Sequence, residues 1–91
     1  MEFVRTERFL RAYKQLDRGD RNRVDQALLR FSLDPSYPSL HVEKITGNIW
    51  SFRASRSLRC TFEWDGDLIE LFHAESVLLR NVGYHDVYRS P

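Results

Sequence analysis

The stretch Ile49–Trp64, IWSFRASRSLRCTFEW, alternates between apolar and polar side chains and indicates two neighbouring β-strands. The apolar positions share one face of the pair: Trp50, Phe52 and Ala54 in the first strand, and Leu58, Cys60, Phe62 and Trp64 in the second. The short polar segment Ser55-Arg56-Ser57 between them predicts a turn and an antiparallel pair. A sheet with one apolar face needs a second layer to cover it.

Two amphipathic helices upstream supply that layer. Thr6 is a plausible N-cap, and an apolar stripe follows at Phe9, Tyr13 and Leu16. We expect Gly19 to end this helix in the left-handed conformation and Asp20 to cap the next one. The second helix has its apolar stripe at Val24, Ala27, Leu28 and Phe31. It should stop at Asp34-Pro35, because a residue before proline avoids the α conformation.

The remaining segments predict further strands. Glu2–Arg5 reads as a short opening strand, and Asp65-Gly66 as a hairpin turn after the second core strand. Leu68–His73 and Val77–Val82 are two more strand candidates, and the tail Gly83–Pro91 either extends the last strand or curls over it. The order of elements predicts one α+β domain over residues 1–91. Its two N-terminal helices pack on one face of a mostly antiparallel four- to five-stranded sheet.

Composition limits the class of protein. The chain has 91 residues, 42% hydrophobic and 30% charged, as expected for one globular domain. The lone Cys60 cannot form an intramolecular disulfide. Because it lies on the apolar face of its strand, we expect its thiol to be buried and inert. Neither a membrane span nor a signal peptide is recognisable, so we expect a cytoplasmic protein that does not contact a membrane.

The distribution of charge is more informative than its sum. Fourteen basic and thirteen acidic residues leave a net charge of +1, which does not by itself indicate a nucleic-acid binder. However, Lys44–Arg59 holds four basic residues and no acid, whereas Glu63–Glu75 holds five acids and no Lys or Arg. The sequence therefore predicts a polarised surface.

Two arginines and one histidine are the candidate chemical groups. Arg53 and Arg59 have the same parity in their strands, so both should project from the face opposite the core, together with Thr61. Two fixed guanidinium groups can hold a phosphodiester, although arginines on a wet sheet face often only contact solvent. His85 can exchange a proton near neutral pH. No histidine spacing typical of a metal site is present, so we expect no metal.

Three short segments, in this order behind a helical hairpin, carry a resemblance. They are residues 44–53, KITGNIWSFR, residues 55–62, SRSLRCTF, and residues 82–89, VGYHDVYR. Together they resemble the RelE/ParE superfamily of toxins from bacterial type II toxin–antitoxin modules. The resemblance covers most of the chain and implies an antiparallel sheet flanked by two N-terminal helices.

The resemblance also implies an activity. RelE-like members cleave mRNA without a metal or cofactor, often in the ribosomal A site, when the RNA's own 2′-OH attacks the adjacent phosphate. By position, Arg59 matches the arginine that stabilises the phosphate, His85 the C-terminal acid or base, and Tyr88 a tyrosine that orients the substrate. The basic residues expected to bind substrate are Lys44, Arg53 and Arg56. The implied partners are a cognate antitoxin, mRNA and the ribosome.

Two other functions stay open. A ParE-like member inhibits DNA gyrase by binding it, and a catalytically inactive member only binds its partners. The segment Leu68–Ser76 departs from the superfamily pattern, and we expect it to add a strand before the last one.

Overall fold

The computed structural model describes all residues, Met1–Pro91, and consists of five strands, three helices and two 3₁₀ turns. The strands are β1 (Glu2–Arg5), β2 (Glu43–Thr46), β3 (Ile49–Arg53), β4 (Arg59–Glu63) and β5 (Ser76–Gly83). The helices are α1 (Glu7–Gln15), α2 (Arg18–Leu33) and α3 (Leu68–Leu71). The 3₁₀ turns are Pro38–Leu40 and His85–Tyr88. None of the helices is long and apolar enough to cross a bilayer.

The strands form one mixed sheet in the order β1-β5-β4-β3-β2. β1 runs parallel to β5, and every other neighbouring pair is antiparallel. In the central pair, Trp50 lies opposite Phe62 and Phe52 lies opposite Cys60. The α+β fold and the alternation of the two central strands are therefore confirmed.

Helices α1 and α2 cover the apolar face of this sheet. The ring of Phe31 in α2 lies at the centre of the core, and its centroid is 4.9 Å from that of Phe52 and 5.1 Å from that of Phe62. From α1, Phe9 is 1% exposed and enters the same core. The predicted stripe of α2 is buried at all four positions: Val24, Ala27, Leu28 and Phe31.

The connection between the helices differs from the prediction. Gly19 does not end a helix and Asp20 does not cap one, because both lie inside α2. The cap is Asp17, whose carboxylate accepts a hydrogen bond from the Asp20 backbone N–H at 2.7 Å. Leu16 and Asp17 are extended and make the whole connection, so no left-handed residue is needed.

The segment after β4 is helical, and both predictions made for it are wrong. Asp65-Gly66 does not form a hairpin, and Leu68–His73 does not form a strand. The Asp67 carboxylate accepts from the Glu70 backbone N–H at 2.8 Å and so caps the first turn of α3. The Trp64 indole N–H donates to the Asp67 carbonyl at 3.0 Å and so links the end of β4 to the start of α3.

The C-terminal tail curls back over the sheet, which was one of its two predicted courses. Thr61 donates its hydroxyl to the Pro91 carbonyl at 2.8 Å, and Asn81 donates its side-chain amide to the Ser90 carbonyl at 3.1 Å. Thr61 lies on the face opposite the core, as predicted, and is fully buried beneath this tail. The polar surface is left to the ends of β3 and β4, where the arginines lie.

Candidate functional site

Two arginines face each other where β3 ends and β4 begins. Arg53 lies directly opposite Arg59, and the connecting turn is closed by a hydrogen bond from the Ala54 N–H to the Leu58 carbonyl at 2.9 Å. Directly opposed residues of an antiparallel pair share a face of the sheet. Like charges in that position repel each other, so a bound anion between or beside them would be stabilising.

The guanidinium of Arg59 is held in place from two sides. Its Nε–H donates to the hydroxyl of Tyr88 at 3.1 Å, and its Nη1 donates to the carbonyls of Ser55 and Arg56 at 3.1 and 3.2 Å. Its Nη2 donates to no group of the protein. The cation is therefore preorganised, with one nitrogen available to an external acceptor.

The tail brings His85 and Tyr88 to this arginine. Gly83, the last residue of β5, pairs with Arg59, and the 3₁₀ turn His85–Tyr88 follows it. Within the turn, the ring centroids of His85 and Tyr88 are 6.5 Å apart. His85 is exposed and Tyr88 is half-buried. The structure thus places Tyr88 in contact with Arg59 and puts His85 on the same 3₁₀ turn as Tyr88.

Three contacts anchor this turn to the body of the protein. Val87 is 2% exposed and inserts beneath the turn. The Tyr84 hydroxyl donates to the Asp20 carboxylate on α2, and that hydrogen bond raises the pKa of Tyr84. The Arg8 guanidinium on α1 donates to the Ser90 carbonyl. The position of His85 and Tyr88 therefore depends on the helices as well as on the sheet.

Beside the arginine pair lies a basic cleft of about 350 Å³. Its polar lining comes from three arginines and two serines: Arg30, Ser39, Arg53, Ser55 and Arg56. No carboxylate lines it, and the Nε of Arg53 is buried without a hydrogen-bond partner. A buried unpaired donor in a cluster of cations is suited to an anionic ligand.

Arg30 is the residue of this cleft that sequence analysis missed. It lies on α2, with its guanidinium 5.6 Å from the ring centroid of Tyr37. A signal for it exists in the helical spacing, since Arg30 follows the buried Ala27 by three residues and so borders the face that packs on the sheet.

The structure separates Lys44 from the other predicted binding residues. Lys44 lies directly opposite Trp50, and its ammonium nitrogen is 5.7 Å from the ring centroid of that tryptophan. Because Trp50 is on the apolar face, Lys44 shares that face rather than the one that carries Arg53 and Arg59.

Comparison with known proteins identifies the architecture. No protein-family model matches the sequence, and no curated protein matches it either. Among solved structures, a YoeB/ParE toxin from Agrobacterium tumefaciens is similar over 93% of this chain and 99% of its own, with a TM-score of 0.68 and 15% identity. The chain has the RelE/ParE toxin fold.

Two further structures with the RelE/ParE fold are similar over nearly their whole lengths. One is the RelB–RelE antitoxin–toxin complex from Methanococcus jannaschii, covering 98% of this chain and 95% of that chain, with a TM-score of 0.61 and 16% identity. The other is a copper-bound mutant toxin from Helicobacter pylori, covering 96% and 97%, with a TM-score of 0.59 and 13% identity. The fold implied by the sequence resemblance is thus confirmed, with a sheet that is mixed rather than wholly antiparallel because β1 runs parallel to β5.

The other reactive side chains of this RelE/ParE fold lie apart from the arginine pair. Cys60 is fully buried, as predicted, and burial raises the pKa of its thiol. His41 is 3.7 Å from a Glu43 carboxylate oxygen, and the His73 ring packs edge-on against Phe72. No group of three or more His, Cys, Asp and Glu side chains is close enough together to hold a metal ion.

Proposed function

We propose that this protein is the toxin of a type II toxin–antitoxin module and that it cleaves mRNA. The observation that carries the proposal is the fixed Arg59, which has a free Nη2 and lies beside Tyr88 and the His85 turn. The shared fold with toxins supports the proposal, as does the neighbour that was solved with its antitoxin. An antitoxin would neutralise the protein by laying a helix or a strand over the basic face.

In the proposed reaction, the 2′-oxygen of a nucleotide attacks the adjacent phosphorus. The O2′–P bond forms, the P–O5′ bond breaks, and negative charge grows on the phosphate oxygens between these events. The preorganised guanidinium of Arg59 stabilises that charge, as fixed donors do in other phosphoryl transfers. His85 accepts the 2′-OH proton, and the 5′-oxygen is protonated by the imidazolium or by water. The ring of Tyr88 positions the nucleotide, while its hydroxyl holds Arg59.

The basic cleft holds a neighbouring phosphate of the same strand. Arg53 and Arg56, predicted to bind substrate, both line it together with Arg30. Concentrating the cations here compensates for a net charge of only +1, because affinity for a nucleic-acid backbone follows the number of phosphates contacted locally. Ribosome-bound mRNA in the cytoplasm is the proposed substrate.

Cleavage of a defined RNA tests the proposal. Purified protein is incubated with a labelled mRNA, alone and on programmed ribosomes, and the products are mapped. Arg59→Ala should abolish cleavage, whereas Arg18→Ala, which removes an exposed arginine from the start of α2, should not. A 2′-deoxy nucleotide at the cleavage site should also block the reaction. Intact mRNA in both settings would contradict ribonuclease activity.

Gyrase inhibition is the second candidate. The low net charge favours it, because a protein target needs fewer phosphate contacts than an RNA. The name of the Agrobacterium neighbour also includes ParE. A gyrase inhibitor needs no proton transfer, so Arg59→Ala combined with His85→Ala should leave growth inhibition intact and supercoiling blocked. The ribonuclease proposal expects the same double variant to be harmless. A chain that inhibits neither process is an inactive binding member.

A further inference from the structure

An apolar groove lies on α3, in the segment that was unexpected from the sequence. It has a volume of about 370 Å³ and is lined by Pro35, Ser36, Leu68, Ile69, Phe72 and His73. Here we call it the α3 groove. Its apolar side chains are unusually open to solvent, since Ile69 is 82% and Phe72 56% exposed. A contiguous exposed apolar surface of this kind typically marks a site of interaction.

The groove is a fixed part of the fold. Leu71 is fully buried and Ala74 is 8% exposed, so the inner face of α3 is anchored in the core. The Asp67 cap holds the start of the helix, and Pro35 on the opposite wall is buried. With Leu71 directed inward, Ile69 and Phe72 are held on the outer side. Their exposure follows from the packing of α3.

Uncompensated negative charge flanks the groove along the chain. The four carboxylates of Asp65, Asp67, Glu70 and Glu75 are exposed, and none of them is in a salt bridge. The fifth acid of this stretch, Glu63, is paired with Arg80 at 2.7 Å. The α3 groove therefore has a mostly apolar lining and lies in a segment whose exposed carboxylates form no salt bridge, whereas the basic cleft is lined by arginines.

We propose that the α3 groove binds a basic amphipathic helix of a partner protein. Apolar residues of the helix would fill the space between Phe72 and Pro35, and its Lys or Arg residues would pair with Asp67 and Glu70. This site goes beyond the proposed function, because it needs neither RNA nor the arginine pair. A second copy in a twofold dimer is disfavoured, since it would oppose the same carboxylates. An anionic membrane surface is repelled for the same reason.

Fluorescence polarisation with designed peptides tests this site on the full chain. The probe is a panel of labelled peptides of about 18 residues, long enough for helix formation. Each has Leu at helical spacing and Lys on the flanks, with a matched peptide that carries Glu in place of Lys. We expect the Lys peptides to bind, the Glu peptides not to bind, and the affinity to fall as salt is raised.

Variants locate the binding on the protein. Phe72→Ser should weaken the best Lys peptide at least about tenfold, as loss of a central apolar contact does. Glu70→Gln should weaken it less and flatten its salt dependence. Leu10→Ser is the matched control, because Leu10 is an exposed apolar residue on α1, 41% accessible. This variant should bind the peptide as the wild type does. Circular dichroism checks that each variant is folded.

Three results with the peptides would overturn the proposal. These are equal binding of Lys and Glu peptides, binding that Phe72→Ser leaves unchanged, and absence of binding at the highest soluble peptide concentration. Sedimentation that shows self-association, lost in Phe72→Ser, would assign the groove to a second copy instead. Arg59→Ala should bind the peptide normally, so failure of the ribonuclease proposal and failure of this one are read out separately.

Discussion

The hydrogen bond from Arg59 to Tyr88 is the contact whose removal is most informative. In Tyr88→Phe the ring stays but the acceptor of the Nε–H is lost, while the bonds from Nη1 to the carbonyls of Ser55 and Arg56 remain. A hydrogen bond to a charged group contributes about 1.5–3 kcal/mol. Since Arg59 keeps two of its anchors, we expect the lower end, about 1.5 kcal/mol. At about 1.4 kcal/mol per decade, that is roughly a tenfold loss in the rate of RNA cleavage.

Single-turnover cleavage of a labelled RNA measures this loss, with Tyr13→Phe as the matched control. Tyr13 bonds Asp25 within the helical hairpin, so removing its hydroxyl should leave the cleavage rate unchanged. The double variant Arg59→Lys with Tyr88→Phe separates positioning from direct catalysis. A lysine has no Nε–H to donate to the Tyr88 hydroxyl. Tyr88→Phe should therefore reduce the cleavage rate only slightly when residue 59 is already Arg59→Lys.

Two results would refute this reasoning. One is a Tyr88→Phe variant that cleaves at the wild-type rate while Arg59→Ala is inactive, which would mean that the hydrogen bond does not position the guanidinium. The other is an equal loss from Tyr88→Phe in the wild-type protein and in the Arg59→Lys variant, which would give the Tyr88 hydroxyl a role of its own. Hydrogen exchange of the Arg59 Nε–H, followed by NMR, gives a second readout and should become faster in Tyr88→Phe.

Three further predictions concern the fold. Burial raises the pKa of Cys60, so the unfolded chain releases that proton first as pH rises through its ordinary value of 9.0. Above that pH, the free energy of unfolding measured in urea should therefore fall by about 1.4 kcal/mol per pH unit more in the wild type than in Cys60→Ala. Equal slopes of stability against pH in the two proteins would contradict a buried thiol. Asp17→Ala removes the cap of α2 and should cost about 1 kcal/mol in urea, against no more than a few tenths for Asp17→Asn. Phe31→Ala empties the centre of the core and should cost about 3–5 kcal/mol, and a loss below about 1 kcal/mol would show that the core closes around the gap.

The central strands and the two long helices were predictable because each buries one face along its whole length. Trp50, Phe52 and Phe62 alternate with polar residues, and the stripe of α2 recurs at helical spacing. The short α3 was missed for the opposite reason. A helix of one turn is too short to show the 3.6-residue repeat of apolar side chains, and the apolar residues of Leu68–Leu71 are equally typical of a strand. The helix is favoured over the strand by the Asp67 cap, which accepts a hydrogen bond from the Glu70 backbone N–H.

The candidate site was predictable where it depends on parity along a strand, and not where it depends on register between strands. Arg53 and Arg59 share a face because each occupies a polar position of its own strand. Lys44 lies on an edge strand with a register irregularity between residues 44 and 46, and no local pattern states which face it joins. Arg30 enters the cleft only through the packing of α2 against the end of β3.

Strand β5 has a consequence for how the chain is made. It lies between β1 and β4, so β1 can join the other strands in one sheet only after β5 has been synthesised and has paired with both neighbours. Pairing between segments so far apart in sequence is slow to form. His85 and Tyr88 follow β5 within a single turn. Completion of the sheet and arrival of these two side chains therefore coincide, and a nascent chain has neither until β5 and the turn that follows it have been synthesised.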